Sequence, residues 1–204
     1  SPLLISYTFA PTAPKAWIKN KNEWLSSVDI QKVMNQYEKV YDNFEFIGPS
    51  PIDFDKVIVD NECVWNELCN FKVSDIISRN KTKIGIIFNT DPHYLTGSHW
   101  VSLFIDITRK IIIYFDSTGV SVPREIKKFI ARVKGQAKDL GINIKTMNNK
   151  KEHQKGDTEC GMYSLYFIIG LLEEKHSPEY FLKSNITDDD MEKLRMIYFN
   201  KPEY

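Results

Sequence analysis

A single cysteine of this chain lies where a polar turn meets a strongly apolar segment. Cys160 follows the polar residues 156–159 and comes just before residues 162–172, which are almost all apolar. The apolar segment predicts a buried helix, with Cys160 at or near its first turn. The positive end of the helix dipole and the unpaired backbone N–H groups there favour a thiolate over a thiol. Since the thiolate is the nucleophilic form, Cys160 is a candidate catalytic nucleophile if a histidine can reach it.

A histidine and an aspartate are predicted to lie side by side and to serve this cysteine. His99 stands at the start of a strand predicted over 100–107, and Asp116 follows a strand predicted over 110–115. The short turn between the strands predicts a hairpin, whose register brings the two side chains together. An aspartate beside an imidazole fixes its tautomer and stabilises the imidazolium. The three residues predict nucleophilic catalysis, with Cys160 as nucleophile, His99 as base and Asp116 orienting the base.

A glutamine ahead of the cysteine is a candidate for a fourth role. Gln154 lies 160 − 154 = 6 residues before Cys160, in a loop that leads into the predicted helix. Its side-chain N–H and the backbone N–H of Cys160 would both donate to the oxyanion of a tetrahedral intermediate. Each residue also has an ordinary interpretation, since a lone buried cysteine is usually a core residue and a loop glutamine is often plain surface.

Length and charge narrow the classes of protein to consider. The 204 residues suit one domain, and 27 basic against 27 acidic residues give no net charge. This balance does not indicate a nucleic-acid partner, and the longest apolar segment is too short to span a bilayer. We therefore expect no membrane association, and the sequence indicates no cofactor and no metal ion. It does not determine the oligomeric state.

The remaining cysteines and histidines are expected to take no part in the chemistry. The chain has three cysteines, an odd number that lacks the spacing of a disulfide framework. Cys63 and Cys69 also lack the paired spacing of zinc ligands, so we interpret them as structural residues in a reducing compartment. His93, His153 and His176 are expected to be exposed.

The elements that must position these residues form a block of strands with helices before and after it. Helices are predicted over 28–41, 60–80 and 123–140 and from 160, 177 and 187, and strands over 84–89, 100–107, 110–115 and 142–147. The segment Gly48-Pro49-Ser50-Pro51 is expected to break the chain. Continuous apolar strands favour a sheet covered on both faces, and the order of elements predicts an α+β fold. We divide the chain into an N-terminal arm, 1–25, and a catalytic domain, 26–204.

Together these residues resemble a known family. The order of His99-Trp100, Asp116, Gln154 and Cys160-Gly161 is similar to that of the ubiquitin-like-protein proteases, with Asn89 and Trp24 also in the family's pattern. This papain-like group of cysteine proteases includes the SUMO proteases and the adenovirus-type processing proteases. The resemblance covers roughly residues 15–200. It implies a central mixed β-sheet, with the nucleophile at the N-terminus of a buried helix.

The resemblance also implies a class of substrate. The chain is similar in appearance to the processing proteases of large DNA viruses, such as that of African swine fever virus, which cut structural polyproteins after Gly-Gly-type sites. It implies substrate contacts from Trp100, Gly161, Asn89 and Trp24, and action in the host cytoplasm, at virus factories, or in the virion. The swine fever enzyme resembles this pattern but has asparagine where this chain has Asp116. Asp116 is therefore one departure from that enzyme.

Two other functions stay open from the sequence. The same chemistry would suit a deubiquitinase or a deSUMOylase-type effector, because ubiquitin-like modifiers also end in Gly-Gly. A binding module that kept the fold and lost catalysis is the alternative from another class. The presence of His99, Asp116, Gln154 and Cys160 argues against this last interpretation.

Overall fold

The computed structural model describes residues 10–202, and a mixed β-sheet lies at the centre of this part of the chain. Its strands are Phe44–Pro51 (β1), Val57–Val59 (β2), Glu62–Cys63 (β3), Lys83–Asn89 (β4), Trp100–Asp106 (β5), Ile111–Phe115 (β6) and Lys145–Asn148 (β7). Five of them form the central sheet in the order β1-β4-β5-β6-β7, and β2 and β3 form a separate hairpin. The outer strands β1 and β7 run parallel to their neighbours and the inner pairs are antiparallel. The predicted mixed sheet is confirmed.

Seven α-helices surround the sheet within the described residues. They are Ser27–Val40 (α1), Asn66–Cys69 (α2), Val73–Ser78 (α3), Arg124–Asp139 (α4), Cys160–Leu172 (α5), Pro178–Lys183 (α6) and Asp188–Tyr198 (α7). Capping boxes begin α1 and α7, where the Ser26 and Thr187 side chains accept from the backbone N–H groups of Asp29 and Asp190. The helices predicted at 28–41 and 123–140 and from 160, 177 and 187 are confirmed.

Apolar side chains cover both faces of the sheet. On one face α1, α5 and α7 pack over strand residues such as Phe104 and Ile113. On the other face α3 and α4 pack over residues such as Leu103 and Ile112. Every residue of α5 except Tyr166 is buried, because this helix is apolar on all sides and runs through the first of these cores. The core therefore fixes the position of the residue that begins α5.

Two regions depart from the predicted elements. The segment expected to break the chain, 48–51, lies inside β1, which is an edge strand that pairs only with β4. Edge strands and bulges tolerate proline, and the pairing register shifts between Ile47 and Ser50. The helix predicted over 60–80 is also wrong. Asp60 and Asn61 take left-handed conformations and form the turn of the β2–β3 hairpin, so only the short helices α2 and α3 remain.

The cysteines of this region form a disulfide, which the sequence analysis did not predict. Cys63 at the end of β3 and Cys69 at the end of α2 are bonded, with their Cα atoms 6.6 Å apart. The interpretation of three unpaired cysteines is therefore wrong, because the hairpin and the helical turn bring two of them together. Cys160 is the free cysteine of the described residues. The reducing compartment itself stays a prediction.

The described part of the predicted arm, residues 10–25, packs onto the main core. The Ala13 N–H donates to the Asn200 carbonyl at 2.8 Å, and the Trp17 ring lies 4.8 Å from that of Phe199. Leu25 is fully buried. Residues 1–9 of the predicted arm lie outside the described residues. Between residues 10 and 202, no helix is long and apolar enough to cross a membrane.

Candidate active site

The hairpin of β5 and β6 brings together the histidine and the aspartate predicted to act as a pair. His99 precedes β5 and Asp116 follows β6, and His99 Nε2 lies 2.8 Å from Asp116 Oδ1. The carboxylate is buried, whereas the His99 side chain is 22% exposed. The His99 carbonyl accepts from the Thr90 N–H at 2.9 Å, which ties this residue to the end of β4 as well. The imidazole is therefore held by Asp116 on one side and is partly exposed to solvent on another.

Asp116 is fixed by contacts that the sequence analysis missed. Its Oδ1 also accepts from the backbone N–H and the hydroxyl of Thr118, at 2.9 and 2.7 Å. The buried amide of Asn149 accepts from the Asp116 N–H at 3.0 Å and donates to the Asp116 carbonyl at 2.6 Å. Because β7 runs parallel to β6, Asn149 leaves the sheet beside Asp116. A polar residue after a predicted edge strand is the signal that could have identified it.

The pKa values of this pair favour its charged form. Burial by itself lowers the pKa of His99, but hydrogen bonds and charge interactions with Asp116 and Cys160 outweigh it and raise that pKa from 6.5 to about 10. Burial by itself raises the pKa of Asp116, and the contacts with His99 and Thr118 more than offset it, so this pKa lies below its ordinary value. An imidazolium beside a carboxylate is therefore favoured across neutral pH.

Cys160 begins α5 and is only 1% exposed. Cys160 is, with Asp116, one of the two groups that raise the pKa of the His99 imidazole, so the ring interacts with the thiol as well as with the carboxylate. Since Nε2 faces the carboxylate, Nδ1 is the ring nitrogen left for the sulfur. A second group also reaches the sulfur, because the indole N–H of Trp24 donates to Cys160 Sγ at 3.1 Å. The buried thiol therefore has an imidazole and an indole as polar neighbours.

The Trp24 indole that contacts the sulfur stacks on a second tryptophan, which packs against the glycine that follows Cys160. The rings of Trp24 and Trp100 are stacked, with centroids 5.3 Å apart and planes 18° from parallel. The indole N–H of Trp100 donates to the Leu25 carbonyl at 2.9 Å. A Cβ on Gly161 would lie 3.0 Å from Leu25 Cβ and 3.3 Å from Trp100 Cδ1. Gly161 thus allows α5 to pack closely against both residues, and its predicted contact with substrate stays a prediction.

Asn89 braces the loop that carries the histidine. Its Oδ1 accepts from the backbone N–H groups of Asp91 and Ser98, at 3.0 and 3.2 Å. Gly97 has a φ of +94°, and a Cβ there would lie 2.7 Å from Asn89 Nδ2. The loop therefore closes over the Asn89 amide and delivers His99 to the start of β5. The predicted role of Asn89 in substrate binding stays a prediction.

Gln154 lies beside the aspartate strand and is buried. Its Oε1 accepts from the Ser117 hydroxyl at 2.6 Å, and its Nε2 donates to the Gly156 carbonyl at 2.9 Å. Its backbone N–H donates to the Ser117 carbonyl at 2.9 Å. These contacts fix the amide and use one of its two N–H bonds. The predicted role as oxyanion donor stays a prediction and would use the other N–H.

A buried ion pair adjoins the nucleophile and was also missed by the sequence analysis. Glu159, the residue before Cys160, accepts from Nε and Nη2 of Arg195 at 3.0 and 2.9 Å. The guanidinium also lies 4.7 Å from the Trp17 ring centre. Burial raises the pKa of Glu159 even though Arg195 opposes the shift. The two residues are 36 positions apart, so no local pattern identifies this pair.

Removing the arginine of this pair is expected to destabilise the protein strongly. Arg195→Met leaves the Glu159 carboxylate buried without its partner, which typically costs about 3–5 kcal/mol. The measurement is the free energy of unfolding in urea. Lys155→Met breaks an exposed pair with Glu152 and serves as the control, with an expected loss below about 1 kcal/mol. Equal losses in the two variants would show that the buried pair is unimportant for stability.

Two of the other three histidines have different surroundings from those predicted, whereas His93 is exposed as predicted. His153 is buried, and its Nε2 lies 2.8 Å from the Phe181 carbonyl, so the prediction of an exposed side chain is wrong for this residue. His176 is half-buried and contacts the Tyr166 hydroxyl at 2.9 Å. The loop after β7 and helix α6 pack onto the core, which explains the burial.

The fold and this site together have the arrangement of the papain-like cysteine proteases. The nucleophile begins a buried helix, and the histidine and its acidic partner come from the adjacent sheet. The model of the Ulp1 protease family, C-terminal catalytic domain, matches residues 72–203. The chain belongs to this family of cysteine proteases, as its resemblance implied.

Two proteins that are similar to this chain in sequence come from viruses. A protein of Acanthamoeba polyphaga mimivirus, named as a thiol protease, is 34% identical over 182 residues, which are 88% of this chain and 58% of that protein. The SUMO-1 cysteine protease of African swine fever virus, isolate Warthog/Namibia, is 31% identical over 190 residues, 89% of this chain and 69% of that protein. The crystal structure of the African swine fever virus protease is similar with a TM-score of 0.78 and 25% identity, over 94% of this chain and 72% of that one. The chain spans little more than half the length of the mimivirus relative.

Proposed function

We propose that this chain is a cysteine endopeptidase that cleaves after the second residue of Gly-Gly-type sites. The Cys160 thiolate attacks the scissile carbonyl, forming a C–S bond, and the His99 imidazolium protonates the leaving amine as the C–N bond breaks. Water then attacks the thioester while His99 accepts its proton, which releases the acid and restores the thiolate. Asp116 keeps the imidazole oriented throughout.

The observation that carries this proposal is the charged histidine–aspartate pair beside a buried cysteine. The Asp116 carboxylate lies 2.8 Å from His99 Nε2, and Cys160 interacts with the same ring strongly enough to help raise its pKa. A raised histidine pKa keeps the proton available for the leaving amine at neutral pH. The oxyanion would lie at the N-terminus of α5, where the Cys160 N–H and the free N–H of Gln154 are the candidate donors.

The preference for small residues rests on the space around the sulfur. Trp24 and Trp100 stack with ring centroids 5.3 Å apart, and a Cβ on Gly161 would lie only 3.0 Å from Leu25 Cβ. A substrate carbonyl that reaches Cys160 must lie beside the Trp24 indole, which contacts the sulfur, and glycine presents the thinnest chain there. Side chains at the cleavage site would collide with the indole rings.

Cleavage of matched peptides tests this proposal. We expect a peptide with Gly-Gly before the cut to be hydrolysed at least about 100-fold faster, by kcat/KM, than the same peptide with Val-Val. The products are identified by mass spectrometry, and Cys160→Ala is the control for contaminating proteases. Equal rates for both peptides would contradict the specificity, and no cleavage of any peptide in a random library would contradict the activity.

The proposal also extends to the natural substrate of the enzyme. We propose a viral structural polyprotein as the substrate, cut in the host cytoplasm or the virion, since the similar proteins come from large DNA viruses. A second candidate is the removal of a ubiquitin-like modifier, favoured by the similarity to a protein named as a SUMO-1 cysteine protease. Modifier probes with a reactive C-terminus separate the two. Rapid labelling by a SUMO or ubiquitin probe, without cutting of polyprotein sites, would favour the second.

A further inference from the structure

The indole of Trp24 contacts the reacting atom itself. Its Nε1–H donates to Cys160 Sγ at 3.1 Å, across 136 residues of sequence. An indole nitrogen is a donor only, so this contact cannot reverse its direction. A donor stabilises a sulfur anion far more than a neutral thiol, because hydrogen bonds to charged groups are the strong ones.

The position of this indole is fixed by its neighbours. The Trp24 ring stacks on Trp100, and the Trp100 N–H in turn holds the carbonyl of Leu25, the next residue of the chain. Leu25 is fully buried, and α1 begins two residues later at Ser27. The donor therefore stands on a short, anchored segment and does not have to be ordered when the thiolate forms.

We propose that Trp24 is a catalytic residue whose indole N–H stabilises the Cys160 thiolate of the resting enzyme. This inference rests on the proposed role of Cys160 as the nucleophile. The positive charge of His99 and the dipole of the first turn of α5 also stabilise this thiolate. Trp24 adds a hydrogen bond of fixed direction from its indole N–H to the sulfur. As the C–S bond forms, negative charge leaves the sulfur and the donor is released.

This role has a kinetic signature that a purely packing role does not share. Without the donor, a smaller fraction of Cys160 is thiolate at low pH, so alkylation begins at a higher pH. The remaining thiolate is intrinsically more reactive, because nucleophilicity rises with the basicity of the sulfur. We therefore expect the pH midpoint of alkylation to rise by about one unit, with a net loss of rate of about threefold below the midpoint and a gain of about threefold on the alkaline plateau.

The test measures the pH dependence of Cys160 alkylation by iodoacetamide in otherwise intact protein. Position 24 carries tryptophan, phenylalanine (Trp24→Phe) or benzothienylalanine, an isostere in which sulfur replaces the N–H and the bicyclic shape is kept. Trp65→Phe, on the opposite face of the sheet, is the control for loss of an indole elsewhere. Cys63 and Cys69 are bonded to each other, so the label reports on Cys160.

We expect the midpoint to rise in both position-24 variants and to stay unchanged in Trp65→Phe. A wild-type midpoint in the isostere protein would overturn the inference, whether or not Trp24→Phe shifts, because the shape alone would then explain the result. Alkylation requires no substrate, so failure to cleave Gly-Gly peptides would refute the proposed specificity without altering this readout. A midpoint shift with no peptide cleavage would leave the donor role standing.

Discussion

Cys160→Ala is expected to abolish peptide cleavage, with a loss of at least about 10⁴-fold in kcat/KM, because the nucleophile is gone. Cys160→Ser should be almost as inactive, since a hydroxyl is far less acidic than a thiol and stays neutral beside the imidazolium. The measurement is hydrolysis of a Gly-Gly peptide by mass spectrometry. Both variants should fold, because Cys160 contributes one small side chain to a large core.

A matched control separates the chemistry from the loss of a cysteine in general. Replacing both disulfide cysteines, Cys63→Ser with Cys69→Ser, removes a loop crosslink that lies in the β2–β3 region. This double variant should lose some stability and keep its cleavage rate. Activity of Cys160→Ala within tenfold of the wild type would refute the assignment of the nucleophile.

His99→Ala is expected to lose about 10³-fold or more in kcat/KM, and Asp116→Asn to lose less. Alanine removes the group that transfers the proton, whereas asparagine keeps a hydrogen-bond acceptor for His99 Nε2 and loses only the charge. Cleavage assays at neutral pH measure both losses. A larger loss in Asp116→Asn than in His99→Ala would contradict the assigned roles.

We also predict that Asp116→Asn changes the pH dependence of kcat/KM. Asp116 and Cys160 together raise the pKa of His99 to about 10 against the effect of burial, so removing the Asp116 charge lowers that pKa. The imidazolium is then lost at a lower pH, and the alkaline limb of kcat/KM in Asp116→Asn should move toward neutrality. Stability follows the same sign: the raised pKa stabilises the fold fully below 6.5 and this contribution fades between 6.5 and about 10. An alkaline limb unchanged in Asp116→Asn would contradict this coupling.

Local patterns in the sequence determined where the candidate nucleophile and its candidate partners lie. The apolar run after Cys160 has the length and composition of a buried helix, and the structure has α5 there. The adjacent strands β5 and β6 form a hairpin, and its register limits how far apart His99 and Asp116 can be. These inferences succeed because they depend on periodicity and on contacts between near neighbours in the chain.

Tertiary structure alone decided what surrounds the sulfur. The Trp24 contact with Cys160 joins residues 136 positions apart, and the Asn149 contacts with Asp116 span 33. The Arg195–Glu159 pair and the disulfide likewise depend on which elements pack together. No periodicity records such contacts: the Trp24 and Arg195 contacts depend on how α1, α5 and α7 pack on one face of the sheet, the Asn149 contact depends on the pairing of β6 with β7, and the disulfide joins β3 to α2. The sequence therefore identified the candidate reacting groups, and only the packing of distant segments showed which hydrogen-bond donors surround them.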